Sequence, residues 1–565
     1  MVSLRESTSE KETPIQLPQS HVSIVVNNQL LLFCLVELHG STESVCPVDV
    51  DQGDWGKIEA RLWIDRERNE VWMTKNCKRH GEFQDLISTD VGDYLRAERF
   101  AQRGTGVQNP ISYTEGECPT RCGLCFEHES KTVLAIIDVT NRCNMRCPVC
   151  FANAGVAGYV YEPKIEQIET MLAKATSVNS PKRIHAIQLS GGEPTVRDDL
   201  PDIVRVVKRY GINHIEVNTN GLKVGDPERG PRYLKTLMDA GVSTLYLQFD
   251  GLVTGPRLIS RVPASDETGR RMSGEGRKKL AEYYTDRQLN VVRNARQVGF
   301  ASIVLVVTLQ RGVNDEQMGD ILRYAGENSD VIRCVNFQPI SMAGRMDRNR
   351  IREVRITNAD VVNGVERQTG GQIRASDFFP IPVEVPLAGY LELVRGRSDH
   401  YDRFSTHVQC GRSTLVYVNK KDGEVTFDPV TRHMDPEKLY SSLERASRSG
   451  RVVGTLKGAA GILRHTDMKL KKDMIAPLLL RGNYEGAGDF MRRVLMIGDM
   501  HFMDAYNFDF QRVHKCAIHY LVPDDRFGAR VIPFCTMNNF HRPHIEKRLP
   551  VSLLAPTKIL LSASQ

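Results

Sequence analysis

From residue 131 onward, short apolar runs alternate with longer stretches of helical periodicity. The runs are TVLAIIDVT (132–140), IHAIQLS (184–190), HIEVNTN (214–220), STLYLQFD (243–250), ASIVLVVTL (301–309) and VIRCVNFQP (331–339). Segments such as DLPDIVRVVKRYG and DRQLNVVRNARQVG lie between them. Near-continuous apolar strands separated by helices predict a parallel sheet covered by helices. Six such units predict an α/β fold with a partial (β/α)6 barrel over 131–345, short of the full eight. A polar, Gly- and Arg-rich stretch at 251–285 breaks the pattern and predicts an insertion or lid.

Upstream the period changes. KIEARLWID, NEVWMTK and HGEFQDLIS alternate with period two and predict a small β domain over 41–104. Residues 105–130 are rich in Gly, Pro and Cys and read as a loop, while 346–565 form a less regular C-terminal domain with a helical block at 436–495. Residues 1–40 read as a poorly ordered leader. Its apolar run LLLFCLVELHG is about half the length needed to span a bilayer. With no basic n-region and no small-residue cleavage site, it is not a signal peptide.

Bulk numbers sharpen this only a little. A chain of 565 residues suggests about three domains. Hydrophobic residues at 41% and charged residues at 25% are ordinary for a soluble protein. The net charge of +6 comes from 75 basic and 69 acidic residues without a run of five like charges, which argues against nucleic acid as a partner.

Cysteine usage is more telling. Six of the thirteen cysteines fall between 118 and 150, which favours metal over disulfides and a reducing, cytoplasmic compartment. In TNRCNMRCPVC, Cys143, Cys147 and Cys150 follow C-x3-C-x2-C just after the first barrel strand. That places them on the C-terminal face of the strands, where barrel active sites lie. Three thiolates can hold three corners of a cubane 4Fe–4S cluster and leave the fourth iron open to a small molecule. The alternative is a zinc or ordinary cluster site with its fourth ligand elsewhere.

CNMRCPVC followed by LSGGEPTVRDDL (189–200) resembles the radical S-adenosylmethionine (radical SAM) superfamily. The resemblance implies S-adenosylmethionine on the open iron, with Gly191, Gly192, Glu193 and Pro194 against its amino group. It also implies Asn218, Asn220 and Asp250 near its ribose and methionine portions. One electron then cleaves the sulfonium, and the 5′-deoxyadenosyl radical removes hydrogen from an unactivated carbon. Two glycines allow close backbone approach, and a carboxylate suits an ammonium. Over about residues 44–545 the motifs VNTNGL, LQFDG, RGVNDEQMGDI, VNFQPISMAGR, MHFMDAYNFD and VIPFCTMN are similar to archaeal tetraether lipid synthase and its bacterial relatives. That likeness implies coupling of isoprenoid lipid tails, auxiliary 4Fe–4S clusters, a rubredoxin-like N-terminal domain and a low-potential donor such as ferredoxin or flavodoxin. A radical SAM methylase of a pterin precursor is the alternative. A non-catalytic iron–sulfur carrier is a third reading, weakened because a carrier needs no open iron.

Other residues invite ligand readings. Cys118, Cys122 and Cys125 repeat C-x3-C-x2-C and predict an auxiliary cluster whose remaining ligand is His128 or a C-terminal cysteine, unless the set is a zinc knuckle. Cys410, Cys516 and Cys535 are candidate ligands, whereas Cys34 and Cys334 read as core. His514 reads as a packing residue, and His501 and His519 stay open. Cys46, Asp49, Cys77 and His80 sit in two-plus-two spacing across a β-ribbon, a knuckle for one Fe or Zn in which Asp49 stands where a fourth thiolate is usual. The basic and apolar block at 454–482 reads as an ordinary helix pair or as a peripheral membrane contact.

Overall fold

The protein is described here by a computed structural model. It covers residues 21–548 apart from 27–28, 35, 105, 108, 111–117, 121, 181–183, 253–261, 264, 266–269, 346–350, 397–402, 478–483 and 526–527. The polar part of the leader, 1–20, lies outside the described residues. Part of the remainder, up to residue 40, is regular. β1 (His21–Val26) and β2 (Gln29–Cys34) form an antiparallel hairpin, and β3 (Val36–Val45) opens a four-stranded antiparallel sheet. That sheet continues with β4 (Lys57–Asp65), β5 (Glu70–Cys77) and β6 (Gly81–Ser88). Period two puts Ile64 and Val71 on its buried face, under helix Val91–Glu98. Asp90 caps that helix by accepting from the Asp93 N–H.

The six apolar runs form β7 (Leu134–Thr140), β8 (Ala186–Gly191), β9 (His214–Thr219), β10 (Thr244–Gln248), β11 (Ile303–Leu309) and β12 (Ile332–Pro339). They are parallel and neighbour one another in chain order. Alternate side chains face outward: Ile187, Leu189, Ile215, Val217, Leu245 and Leu247 share one core with Ile168, Leu172, Ile203, Val204 and Leu237 of the covering helices. Each fully buried side chain of this kind contributes roughly 1.5–3 kcal/mol.

Among the described residues beyond 346, the strands join the barrel sheet rather than a separate one. After the short β13 (Phe379–Pro380) come β14 (Arg412–Lys421), β15 (Glu424–Pro429), β16 (Val494–Asp499), β17 (Ile518–Asp524) and β18 (Gly528–Pro533). β16 pairs parallel with β12, and β14 pairs antiparallel with β16. On the far side β17 pairs parallel with β7 and antiparallel with β18. An open barrel has two edges of unsatisfied backbone groups, and C-terminal strands cover both.

Part of the stretch expected as an insertion is regular. Helix Gly274–Val298 begins where Ser273 Oγ accepts from the Gly276 N–H and ends at Gly299, whose φ of 75° suits only glycine well. Among the described residues no helix is long and apolar enough to cross a membrane.

Candidate active site

The loop after β7 is held from three sides. Cys143 Sγ accepts from the Met145 N–H at 3.3 Å. Arg345, just after β12, donates Nε to the Cys147 carbonyl at 2.8 Å and exchanges backbone hydrogen bonds with Cys150. Asn220, past the end of β9, donates Nδ2 to Asn144 Oδ1 at 2.7 Å. Burial pushes the Cys143 thiol well up, and Glu193, Cys147 and Cys150 add to it. A buried thiol whose pKa two neighbouring thiols push up further is costly as a free thiolate, and a cationic centre offsets that cost. The donor set therefore fits an iron–sulfur cluster.

The Gly-Gly-Glu-Pro turn is pressed against this loop. Gly192 donates its N–H to the Thr140 carbonyl at 2.6 Å, and Glu193 donates its N–H to the Arg142 carbonyl at 2.9 Å. A Cβ on Gly191 would lie 2.1 Å from the Thr140 oxygen, and one on Gly192 2.1 Å from the Arg142 oxygen. Both obstacles are backbone, which cannot swing aside. Gly192→Ala is expected to destabilise by about 1–3 kcal/mol and to weaken S-adenosylmethionine binding, read by thermal unfolding and equilibrium dialysis. Unchanged affinity would separate the turn from the cofactor.

Glu193 is placed differently from the expectation of a carboxylate aimed at an ammonium. It is buried, and Oε1 accepts from Thr195 N–H, Thr195 Oγ1 and Thr219 Oγ1 while Oε2 accepts from Asn220 N–H at 2.7 Å. Burial pushes its pKa up, and these donors oppose the rise. Its carboxylate ties the end of β8 to the end of β9. Pro194 opens the short turn that follows.

A pocket lies beside the cysteine loop, lined by Cys147, Gln248, Asp250, Tyr284, Gln288 and Gln310 among others. Tyr284 and Gln288 come from helix Gly274–Val298, so the stretch read as an insertion supplies one wall. Asp250 Oδ2 accepts from Gln248 Nε2 at 2.8 Å. The barrel interior beneath is polar. Asn218 donates to Ser190 Oγ, and Gln188 donates to Glu216 Oε2. Asn336 and Gln338 reach across β11 to the Tyr246 hydroxyl at 2.5 and 2.9 Å. Cys334, expected in the core, is part of this interior, where burial and Glu216 push its thiol up to about 12.

Six further cysteines fall into two sets. Cys118 and Cys122 share a hydrogen bond, and together with His514 it draws the Cys118 thiol down to about 6 against the effect of burial. His514, read from sequence as a packing residue, is thus a partner of Cys118. His128 turns instead to the Cys516 carbonyl at 2.8 Å and to His519 Nε2 at 3.1 Å. Its Nε2 is engaged there rather than at Cys118. Cys410, Cys516 and Cys535, far apart in sequence, come together: burial pushes the Cys516 and Cys535 thiols up, and Cys410 adds to both. Arg512 is buried beside this set and hydrogen-bonds Cys410. Sequence reading missed Arg512, because no spacing marks a lone arginine as a thiolate partner. His501 contacts Arg512 Nη1 at 3.4 Å.

The knuckle converges. One ligand atom from each of Cys46, Asp49, Cys77 and His80 lies within 4.8 Å of all the others. His80 Nδ1 is 3.1 Å from Asp49 Oδ1, and Cys77 Sγ is 3.4 Å from Asp49 Oδ2. Burial pushes the Cys46 thiol up to about 11. Two thiolates, an imidazole and a carboxylate suit tetrahedral zinc. Cys77→Ser is expected to lose about one zinc per chain by elemental analysis while iron is retained; Asp49→Cys is expected to hold zinc against a chelator longer than the parent does. Equal zinc content in parent and Cys77→Ser would exclude the site.

These features agree with the comparisons. Residues 137–325 match the family described as Radical SAM superfamily, and residues 38–89 match the HMPTM N-terminal zinc ribbon domain. By class, then, the chain is a radical SAM protein. It is 38% identical over 526 residues, 91% of this chain and 96% of the relative, to 7,8-dihydro-6-hydroxymethylpterin dimethyltransferase of Methanocaldococcus jannaschii, and it belongs to that family. It is also 25% identical over 205 residues to the GTP 3′,8-cyclase of Limosilactobacillus fermentum, covering 36% of this chain and 54% of the cyclase. Among solved structures, methylornithine synthase matches with a TM-score of 0.24 and 18% identity over 37% of this chain. The chain spans about half the length of that structure and of the cyclase. The motifs had pointed to tetraether lipid synthases; the relative matched over nearly its full length carries a pterin methyltransferase name.

Proposed function

We propose that this chain is a radical SAM enzyme that methylates a carbon of a reduced pterin. The observation that carries the reading is the polar barrel interior beside the cysteine loop: Gln188, Glu216, Asn218, Tyr246, Asn336 and Gln338. Amides, a phenol and a carboxylate match the donor and acceptor edges of a fused heterocycle better than they match a hydrocarbon tail. The M. jannaschii relative supports the same substrate class.

Cys143, Cys147 and Cys150 would hold a 4Fe–4S cluster, which together with S-adenosylmethionine supplies a radical able to remove hydrogen from a carbon that acid–base chemistry cannot reach. The chain's own residues position. Arg345 and Asn220 fix the cysteine loop. Gly191 and Gly192 let the β8 turn close on it, and Glu193 locks that turn to β9. Asn218 and Asp250 would orient the cofactor. The sets Cys118, Cys122, Cys125 and Cys410, Cys516, Cys535 would hold auxiliary clusters, and the knuckle one zinc.

Lipid-tail coupling keeps one observation in its favour, an exposed apolar stripe along helix Arg451–His465. The test is anaerobic reconstitution followed by dithionite, S-adenosylmethionine and either a reduced hydroxymethylpterin with a methyl donor or a diether lipid, followed by mass spectrometry. Methyl gain on the pterin supports the proposal. Loss of two hydrogens from a lipid pair replaces it with tail coupling. 5′-Deoxyadenosine with both substrates untouched removes both substrates and keeps the radical chemistry.

A further inference from the structure

Helix Arg451–His465 is built inside out. Its packed face consists largely of glycine. A Cβ on Gly454 would meet Leu393 and the Ala446 carbonyl at 2.5 Å, one on Gly458 would meet Tyr390 at 2.1 Å, and one on Gly461 would meet Ser442 at 2.8 Å. The side chains with apolar area to bury point away. Val452 is 74% exposed, Val453 52%, Leu456 67% and Leu463 65%, and Met468 just beyond is 75% exposed. Five of the ten strongly exposed large apolar side chains among the described residues therefore sit between Val452 and Met468. Single exposed apolar residues are ordinary, but a cluster marks an interaction surface. Helix formation does not explain them: the two valines are poorer helix formers than alanine.

The pattern around the helix identifies what covers it. Helical spacing lays Val452, Leu456 and Leu463 on one stripe and Lys457 and Arg464 along its flank. From Arg451 to Lys472 there are six Lys or Arg against the single acid Asp467, in a chain whose totals are 75 and 69. Asp467 is itself held by His433 Nδ1 at 2.7 Å. An apolar stripe edged by cations is the form of a helix that lies in the headgroup region of an anionic bilayer. A second copy fits poorly, since a two-fold contact would set this basic edge against itself.

We propose that helix Arg451–His465 docks the enzyme on an anionic membrane surface, with Val452, Leu456 and Leu463 among the headgroups and Lys457 and Arg464 against lipid phosphates. The docking holds whether the substrate is a pterin or a lipid. The test uses the full reconstituted chain and sedimentation with vesicles of phosphatidylcholine alone or mixed with phosphatidylglycerol. Binding to the mixed vesicles is expected to exceed binding to neutral ones by about tenfold and to weaken with salt. Leu456→Glu with Leu463→Glu is expected to lose at least about tenfold of that binding at unchanged iron content and melting temperature, since both side chains are exposed. Failure of the parent to bind mixed vesicles overturns the proposal, as does equal binding by the double variant. So does a parent dimer that the double variant splits while neither binds vesicles.

Discussion

Cys143→Ala is expected to reduce formation of 5′-deoxyadenosine to background while the iron bound elsewhere remains. Cys143 is tightly held. It is enclosed next to Glu193, accepts from the Met145 N–H at 3.3 Å and lies on the loop that Asn220 anchors through Asn144. Its loss leaves two ligands where three are needed to keep one iron open. If the parent holds the three cubanes proposed above, iron falls from about twelve to about eight per chain, four per cluster. Cys410→Ala is the control: it also lowers iron, yet it leaves S-adenosylmethionine cleavage in place. Mass spectrometry of the nucleoside and an iron assay on the same samples decide the matter. Turnover by Cys143→Ala would sink the assignment of the radical site to this loop.

The second large effect concerns stability. Arg355 is 3% exposed and bridges two buried carboxylates, with Nη2 2.6 Å from Asp85 Oδ2 and Nη1 2.8 Å from Asp504 Oδ2. Asp85 belongs to the N-terminal sheet and Asp504 to the segment after β16. Lys75, also buried, donates to Ser44 Oγ and the Ala505 carbonyl, and burial pushes its pKa down to about 7. Burial pushes Asp504 up, but Arg355 outweighs it and holds the carboxyl down at about 2, helped by the Met342 and Tyr506 N–H groups. Removing one partner of a buried ion pair costs about 3–5 kcal/mol, so Arg355→Met is expected to lose that much.

The sign of the pH dependence follows from Asp85. Burial pushes its pKa up to about 6 even with Arg355 beside it. Without the guanidinium the folded-state pKa of Asp85 rises further above its unfolded value, and that of Asp504 rises from below its own. The deficit is then largest at alkaline pH, where both carboxylates must stay charged, and it narrows as they protonate on acidification. The chain's three tryptophans, Trp55, Trp63 and Trp72, all lie in or beside the N-terminal sheet, so urea unfolding followed by fluorescence reports on the unit Arg355 ties down. A variant within about 1 kcal/mol of the parent would mean that apolar packing of Val45, Val50 and Trp55 on Met503 and Phe540 carries the contact alone.

Local pattern and long-range partnership separate what could be read in the sequence from what could not. The six barrel strands were legible because each is apolar on the helix side and bounded by turn residues. Cys143, Cys147 and Cys150 were legible because one loop carries all three. The edge strands were not. VLMIGD and IHYLVPD look like strands, but nothing local says that one joins β12 and the other β7. The same distance hid the grouping of Cys410, Cys516 and Cys535, the contact of Arg512 with Cys410, and that of His514 with Cys118. Glu193 was flagged by its motif, yet its four donors come from the folding of Thr195, Thr219 and Asn220 around it.

The pairing of β17 with β7 also sets an order of assembly. β7 ends at Thr140, but the strand that covers its free edge begins at Ile518. During synthesis the ribosome releases a complete set of six parallel strands long before that edge can close. Until then β7 stays open to other chains, and Cys118 and Cys122 lack the neighbours brought by His514 and Arg530. Contacts of such separation form late and slowly. Metal can reach the first loop before Ile518 is made, whereas the Cys410, Cys516 and Cys535 set is complete only after Cys535 has emerged. Chains truncated before Ile518 are therefore expected to aggregate in cells through the bare β7 edge.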